Sequence, residues 1–371
     1  MKYYIIAGEA SGDLHASNLM KSISEKDAGA HFRVWGGDLM EAAGGDLVKH
    51  YRELAYMGFV EVALNLRAIL KNISFCKKDI LEYQPDVLIL VDYPGFNLRI
   101  AEFAKNKGLK VIYYISPQIW AWKRSRVKKI KKSVDMMLVI LPFEKNFYAK
   151  YGVEVNFVGH PILDDLADNQ VEGRAEFLKK NQLSNNTIVA LLPGSRKMEV
   201  ERMLGIMVQV VDYFPEQQFV IAGVSSLSES IYKRILGKSP VKVLVNQTRD
   251  LLYHSDAALV TSGTATLETA LIGVPEVVCY KGNWLSFEIA KRIIQVKYIS
   301  LVNLIMDRLV VKELIQNDLT VKNLVGELDR LLNDEKLKTS ISNNYQLLKE
   351  KLGEQGASDR AATLVVDYLD K

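Results

Sequence analysis

Val87-Leu88-Ile89-Leu90-Val91-Asp92-Tyr93-Pro94-Gly95-Phe96-Asn97 sets five consecutive apolar residues before a carboxylate and a Pro-Gly turn. An unbroken apolar run of this length is apolar on both faces, as a buried strand of a parallel sheet must be. A carboxylate directly after it stands at the strand's C-terminal end, the edge where open α/β sheets bind ligands. Partial desolvation there raises the pKa of Asp92 and makes it a better base, held rigidly by the turn. Its plainer role would be to accept turn amides.

Comparable runs lie upstream at 3–7 and 33–36 and downstream at 110–115, 136–140 and 154–158, with amphipathic helix-length segments between. The pattern breaks over 163–186, which is polar and helical. It resumes at 187–192, 218–222, 241–245, 257–261 and 276–280. Strand and helix alternating in this way predict an α/β fold with parallel sheets, in two similar lobes. The expected organisation is a first Rossmann-like lobe over 1–162, a linker helix region over 163–186 and a second lobe over 187–340. A helical extension over 341–371 would pack across the lobes or swap between copies. The lobes are expected to face a central cleft where the strand C-termini open.

Hydrophobic residues are 49% of the 371, enough for two cores, and charged residues 25%. Cys76 and Cys279 are far apart and form no CxxC, so neither a disulfide framework nor a thiolate metal site is expected, and a reducing cytoplasm is the natural compartment. The five histidines show no HExxH spacing, and no two aspartates stand two residues apart. No metal and no cofactor are expected. The first residues read straight into a strand, so no signal peptide is expected, and no run of about 18 apolar residues is present to span a bilayer. The net charge of +4 is too small to argue for nucleic acid. Lys123, Arg124, Arg126, Lys128, Lys129, Lys131 and Lys132 nevertheless crowd ten residues.

Gly8-Glu9-Ala10-Ser11-Gly12-Asp13 follows the first strand. Small residues allow a tight turn at a helix N-terminus, but this is not GxGxxG, and Glu9 and Asp13 would repel a pyrophosphate. Ser11 or Asp13 could cap the helix, and Glu9 is a candidate for sugar hydroxyls. Ser116-Pro117-Gln118-Ile119-Trp120-Ala121-Trp122 puts two tryptophans in an exposed register beside the basic run. That pairing suits nucleic acid, an anionic membrane or a phosphorylated substrate, although a solvated basic helix explains the charges alone.

Phe59, Val62, Ala63, Leu66, Ile69, Leu70 and Ile73 share one helical face, which by default packs on the sheet. Val60 and Leu64, flanked by Arg67 and Lys71, suit a membrane surface instead. In the second half, Leu191-Leu192-Pro193-Gly194-Ser195-Arg196 ends a strand with a rigid cation for phosphate, or for an ordinary surface ion pair. Thr261-Ser262-Gly263-Thr264-Ala265-Thr266-Leu267-Glu268 ends another and opens a helix. Amides and hydroxyls at that start can hold a diphosphate, with Glu268 near ribose hydroxyls. Without a Walker lysine it is not a P-loop. With no metal, the helix terminus and Arg196 would neutralise the leaving diphosphate.

Read in order, AGEASGD (7–13), LAYMGFVEV (54–62), PDVLILVDYPGFN (85–97), YISPQIWAW (114–122), LPFEKNFY (141–148), VGHP (158–161), LLPGSR (191–196), TSGTATLE (261–268) and YISLVNL (298–304) resemble the lipid-A-disaccharide synthase family along nearly the whole chain. The resemblance implies a GT-B fold, with acceptor on the first lobe and UDP-sugar on the second. It implies joining of UDP-2,3-diacylglucosamine and 2,3-diacylglucosamine 1-phosphate (lipid X) into a β-1′,6 disaccharide 1-phosphate, with release of UDP. The family's base aligns with Asp92. Arg196, Ser262, Gly263 and Thr264 would take the diphosphate, Glu268 the ribose, and Asn303 another polar position of the cleft. Acceptor-side candidates are Glu9, Ser11, Trp120, Lys123 and Arg126. Membrane-contact candidates are Phe59, Val60, Leu64, Arg67 and Lys71, since the family attaches peripherally to the inner face of the cytoplasmic membrane, and a homodimer is favoured. Members often carry a second aspartate where this chain has Gly95, so the chemistry falls on Asp92 alone. Competing readings are a related GT-B transferase with another acceptor, a UDP-sugar 2-epimerase, or a non-catalytic membrane-docking sugar-nucleotide sensor.

Overall fold

The run Val87–Val91 is a strand buried along its whole length, and two parallel sheets grow from segments like it. The computed structural model describes residues 1–53, 66–167, 171–283, 287 and 296–371. The chain forms two compact units, one of Met1–Asp168 with Leu352–Lys371 and the other of Asn169–Lys351.

In the first unit the strands are β1 (Lys2–Ala7), β2 (His31–Gly36), β3 (Gly45–His50), β4 (Val87–Val91), β5 (Lys110–Tyr114), β6 (Met136–Val139) and β7 (Asn156–Phe157). They lie in the order β3-β2-β1-β4-β5-β6-β7, every pair parallel. In the second they are β8 (Ile188–Leu192), β9 (Gln218–Gly223), β10 (Lys242–Val245), β11 (Ala257–Thr261), β12 (Glu276–Tyr280) and β13 (Lys312–Ile315), in the parallel order β10-β9-β8-β11-β12-β13. Both are Rossmann-like. β4, β8 and β11 are buried at every residue, because helices cover both faces of a parallel sheet.

Two strands were not foreseen, β3 and β13. Both are outermost and partly exposed, so they mix polar with apolar residues and lack the unbroken apolar signature.

In each sheet the chain reverses direction across the order at one point. In the first unit this is between β1 and β4, and in the second between β8 and β11. At such a switch point the following helices diverge to opposite faces and leave a crevice at the strand C-termini. Glu9 and Asp92 follow β1 and β4; Gly194–Arg196 and Ser262–Thr264 follow β8 and β11.

The C-terminal helix Ala357–Leu369 packs on Ala10–Lys26 in the first unit. The Asp164 carboxylate accepts from the amides of Gly356, Ala357 and Ser358 at 2.6, 3.3 and 3.1 Å, satisfying that helix's N-terminus. At its other end Lys110 Nζ lies 3.2 and 3.4 Å from the carbonyls of Tyr368 and Leu369. The preceding helix Glu335–Leu352 belongs to the second unit through Lys351, and its buried Tyr345 donates to Val274 O at 3.3 Å.

Candidate functional site

At the first switch point Asp92 and Tyr93 both adopt left-handed backbone, φ +43° and +47°. L-residues rarely take this conformation; it persists only where the surrounding structure over-determines it, and such places cluster at functional sites. The Tyr93 ring lies over Gly8, where a Cβ would come within 2.3 Å of it, so only glycine lets the two strand ends approach this closely. Burial first, and the nearby Glu9 carboxylate second, push the Asp92 pKa up to about 7, against a lowering bond from the Tyr93 amide. The parallel register Ala7↔Val91 brings Glu9 and Asp92 together from 83 positions apart. Ser11 is exposed one residue into the helix Ala10–Lys26.

Asp13 does not cap its own helix. Its carboxylate accepts from the amides of Gly37, Leu39 and Met40 at 2.7, 3.2 and 3.1 Å, and so caps the neighbouring helix Asp38–Ala42. Asn97 and Tyr113, which sequence reading passed over, both bind the carbonyl oxygen of Asp92. Asn97 gave a signal, as a polar residue at core spacing beside Phe96, Ile100 and Ala101.

After β5, Ile115 is also left-handed at φ +62°, and Ser116 is buried with its hydroxyl 2.7 Å from that of Tyr148. Trp120 is not in an exposed register. It is only 5% exposed and packs edge-on against Phe143, ring centroids 4.9 Å apart, so it is core and unavailable to an acceptor. The Trp122 side chain lies outside the described part. Lys123 is exposed, whereas Arg126 is half-buried, and desolvation lowers its pKa with Arg99 adding like-charge repulsion.

Phe59, Val60 and Leu64 fall outside the described residues. Arg67 and Lys71 are exposed on Leu66–Tyr83. Leu70, expected to face the sheet, is 52% exposed, and Phe75 and Leu81 are exposed on the same helix.

In the second unit Gly194 is at φ +108°, and a Cβ there would lie 2.6 Å from the Glu199 carboxylate. That carboxylate accepts from the amides of Ser195 and Arg196, each at 3.2 Å, and from the Arg196 guanidinium at 3.0 Å. The loop is thus preformed, with the Arg196 side chain paired to Glu199 and 59% exposed. Ser262 Oγ donates to Ile299 O at 3.0 Å, and Gly263 and Thr264 are exposed at the start of Thr264–Ile272. Glu268 accepts from Arg249 Nε at 2.6 Å, an orienting partner that sequence distance hid.

Asn303 does not line a ligand surface. It is fully buried; its amide nitrogen reaches Val311 O and Glu313 Oε1, both at 2.8 Å, while its oxygen accepts from Val310 N and Val311 N at 2.7 and 3.0 Å. All its side-chain hydrogen-bonding capacity is spent holding the loop before β13, which leaves none for the UDP contact expected of it. Among the described residues no three His, Cys, Asp or Glu side chains gather as a metal site would require. Among them, too, no helix is long and apolar enough to cross a membrane.

A family model described as lipid-A-disaccharide synthetase matches residues 3–366. The lipid-A-disaccharide synthase of Geobacter metallireducens is 40% identical over 374 residues, covering 99% of this chain and 97% of its own length. That of Coxiella burnetii is 37% identical over 370 residues, covering 98% of both chains. Among solved structures, the UDP-GlcNAc 2-epimerase of Neisseria meningitidis bound to UDP-GlcNAc superposes with a TM-score of 0.68 at 13% identity, covering 99% of this chain and 100% of that one. The glycotransferase of kitacinnamycin gives 0.66 at 15%, covering 99% of each. At such identities the structural likeness is one of fold.

Proposed function

Since this chain belongs to the lipid-A-disaccharide synthase family and has the GT-B fold of glycosyltransferases, we propose that Asp92 is the general base of its transfer reaction. The substrates are UDP-2,3-diacylglucosamine and 2,3-diacylglucosamine 1-phosphate. Asp92 takes the proton of the acceptor 6-hydroxyl as that oxygen attacks the anomeric carbon from the face opposite the diphosphate. The C1–O bond breaks, its electron pair leaves with UDP, and the new linkage is β-1′,6. The observation that carries this reading is the carboxylate at the first switch point, raised to about 7 by burial and by Glu9. A base matched to neutral pH combines a populated ionised form with real proton affinity.

The second unit binds UDP. Arg196 and the exposed start at Ser262, Gly263 and Thr264 take the diphosphate and its growing charge. Glu268, oriented by Arg249, accepts from ribose hydroxyls. Glu9, Ser11, Lys123 and Arg126 serve the acceptor.

Both substrates carry acyl chains, so the enzyme works at a membrane surface, on the inner face of the cytoplasmic membrane. The stripe Arg67, Leu70, Lys71, Lys78 and Leu81 on Leu66–Tyr83 mixes exposed apolar side chains with cations, as interfacial helices do.

The test is Asp92→Asn, assayed in detergent with EDTA for disaccharide by mass spectrometry. Turnover should fall by about 10²–10⁴-fold while UDP-sugar binding persists. A variant that keeps its turnover refutes the assignment, and a chain that makes no disaccharide with any detergent refutes the substrates.

A further inference from the structure

We infer that Asn97 and Tyr113 are positioning residues for the Asp92 base, a two-pronged grip on its main-chain carbonyl that holds the carboxylate in an otherwise unfavourable turn. The inference rests on Asp92 being the base, as proposed above.

Tyr113 lies in β5, paired with Leu90 of β4, and its hydroxyl donates to the carbonyl oxygen of Asp92. Asn97 lies in the first turn of Pro94–Asn106. Its Nδ2 stands 2.8 Å from Asp92 O, 3.2 Å from Val91 O and 3.4 Å from Ile6 O. Both side chains are fully buried. Positive φ at two consecutive non-glycine residues has no local cause, and Tyr93 is a poor residue for it. The hold must come from elsewhere: beside the main-chain bonds from Asp92 N to Tyr114 O at 3.2 Å and from Asn97 N to Tyr93 O at 3.0 Å, these are the side-chain bonds that supply it from the neighbouring strand and the following helix.

The reach of Asn97 to Ile6 O has a second effect. It adds a side-chain tie, the longest of the three, between the end of β1, three residues before Glu9, and the end of β4, reinforcing the strand pairing that brings Glu9 to Asp92. The groups facing Asp92 are Glu9 from the β1 side and Tyr113 from β5, with Arg126 in turn facing Tyr113. Burial drives the Tyr113 hydroxyl far above its ordinary range, so it remains a donor at every working pH. Released from the grip, Asp92 and Tyr93 relax toward right-handed backbone, and the carboxylate turns into water, away from Glu9. It then becomes both misplaced and more acidic.

The experiment compares Tyr113→Phe, which keeps the ring, and Asn97→Ala with wild type and Asp92→Asn. The readouts are kcat and KM against pH, UDP affinity and thermal melting. Expected for both variants is a kcat lowered about 10- to 100-fold, with donor KM and UDP affinity within about two-fold. The acid limb of the kcat profile should move below its wild-type position. Should Asn97→Ala not fold, Tyr113→Phe decides alone. Wild-type kcat with an unmoved limb overturns the inference, and so does a kcat loss that merely tracks lower melting with the limb in place. Retained turnover in Asp92→Asn instead defeats the base assignment itself, and the two failures are thereby told apart.

Discussion

Replacing Glu9 with Gln should lower the pKa of Asp92, the proposed base, while leaving its burial intact. Asp92 sits at about 7, with burial the larger cause and Glu9 the second. The two follow adjacent parallel strands about 4.8 Å apart and lie one register step out of line, for which roughly 7 Å is the order of a carboxylate separation. At an effective dielectric of about 40, between the near-surface protein value and water, Coulomb's law gives about 1.2 kcal/mol, or nearly one pKa unit. The acid limb should therefore move from near 7 to about 6, and at pH 6 the ionised fraction should rise from about 0.1 to about 0.5. The assay is the initial rate of disaccharide formation from pH 5 to 9 with both substrates saturating, so that changed acceptor binding through Glu9 falls on KM. The plateau at high pH should drop modestly, because a weaker base transfers the proton less readily. A limb that stays in place or moves upward would refute the electrostatic account of Asp92.

Gly95→Asp has open space around its Cβ and sits in the first turn of Pro94–Asn106. It should add about 0.3–1 kcal/mol of stability through the helix dipole and raise the acid limb by placing a second carboxylate near Asp92, read by melting and by pH–rate profiles. Glu276 is fully buried, with no hydrogen-bond partner for either carboxylate oxygen among the described residues, and burial, then Glu313, raises its pKa well above the usual range. The folded state thus holds a proton that the unfolded chain releases. The stability this contributes is complete below the unfolded pKa and is lost as pH rises through the folded one. Glu276→Gln should melt like wild type near pH 4 and progressively higher than wild type toward pH 8. Asn303→Ala strands the amides of Val310 and Val311, and should cost about 3 kcal/mol in denaturant titration without a specific loss of UDP affinity in the folded protein.

The sheets were legible because β4, β8 and β11 are apolar at every residue, whereas β3 and β13 hid behind the mixed composition that a sheet edge permits. Asp92 could be found from its place after β4. Its turn could not, since no glycine at 92 or 93 announces positive φ. Nor could its partner Glu9, which is close only because β1 pairs with β4. Trp120 misled because charges adjacent in sequence said nothing of the phase that turns its ring onto Phe143. Asn97 and Asn303 look like polar blemishes in apolar patterns, and buried amides of this kind are where main-chain carbonyls and loops find their fixings.

The helix Ala357–Leu369 has a consequence for the order in which the protein is built. Because it docks on Ala10–Lys26, the surface of the first unit is covered only after residues 357–369 have been made, later than all of Asn169–Lys351. Asn169–Lys351 emerges as an uninterrupted stretch and has its whole sheet available earlier. A premature stop shortly after residue 351 would therefore wound the unit carrying Asp92, far upstream of the lesion, and leave the sheet of the other unit whole.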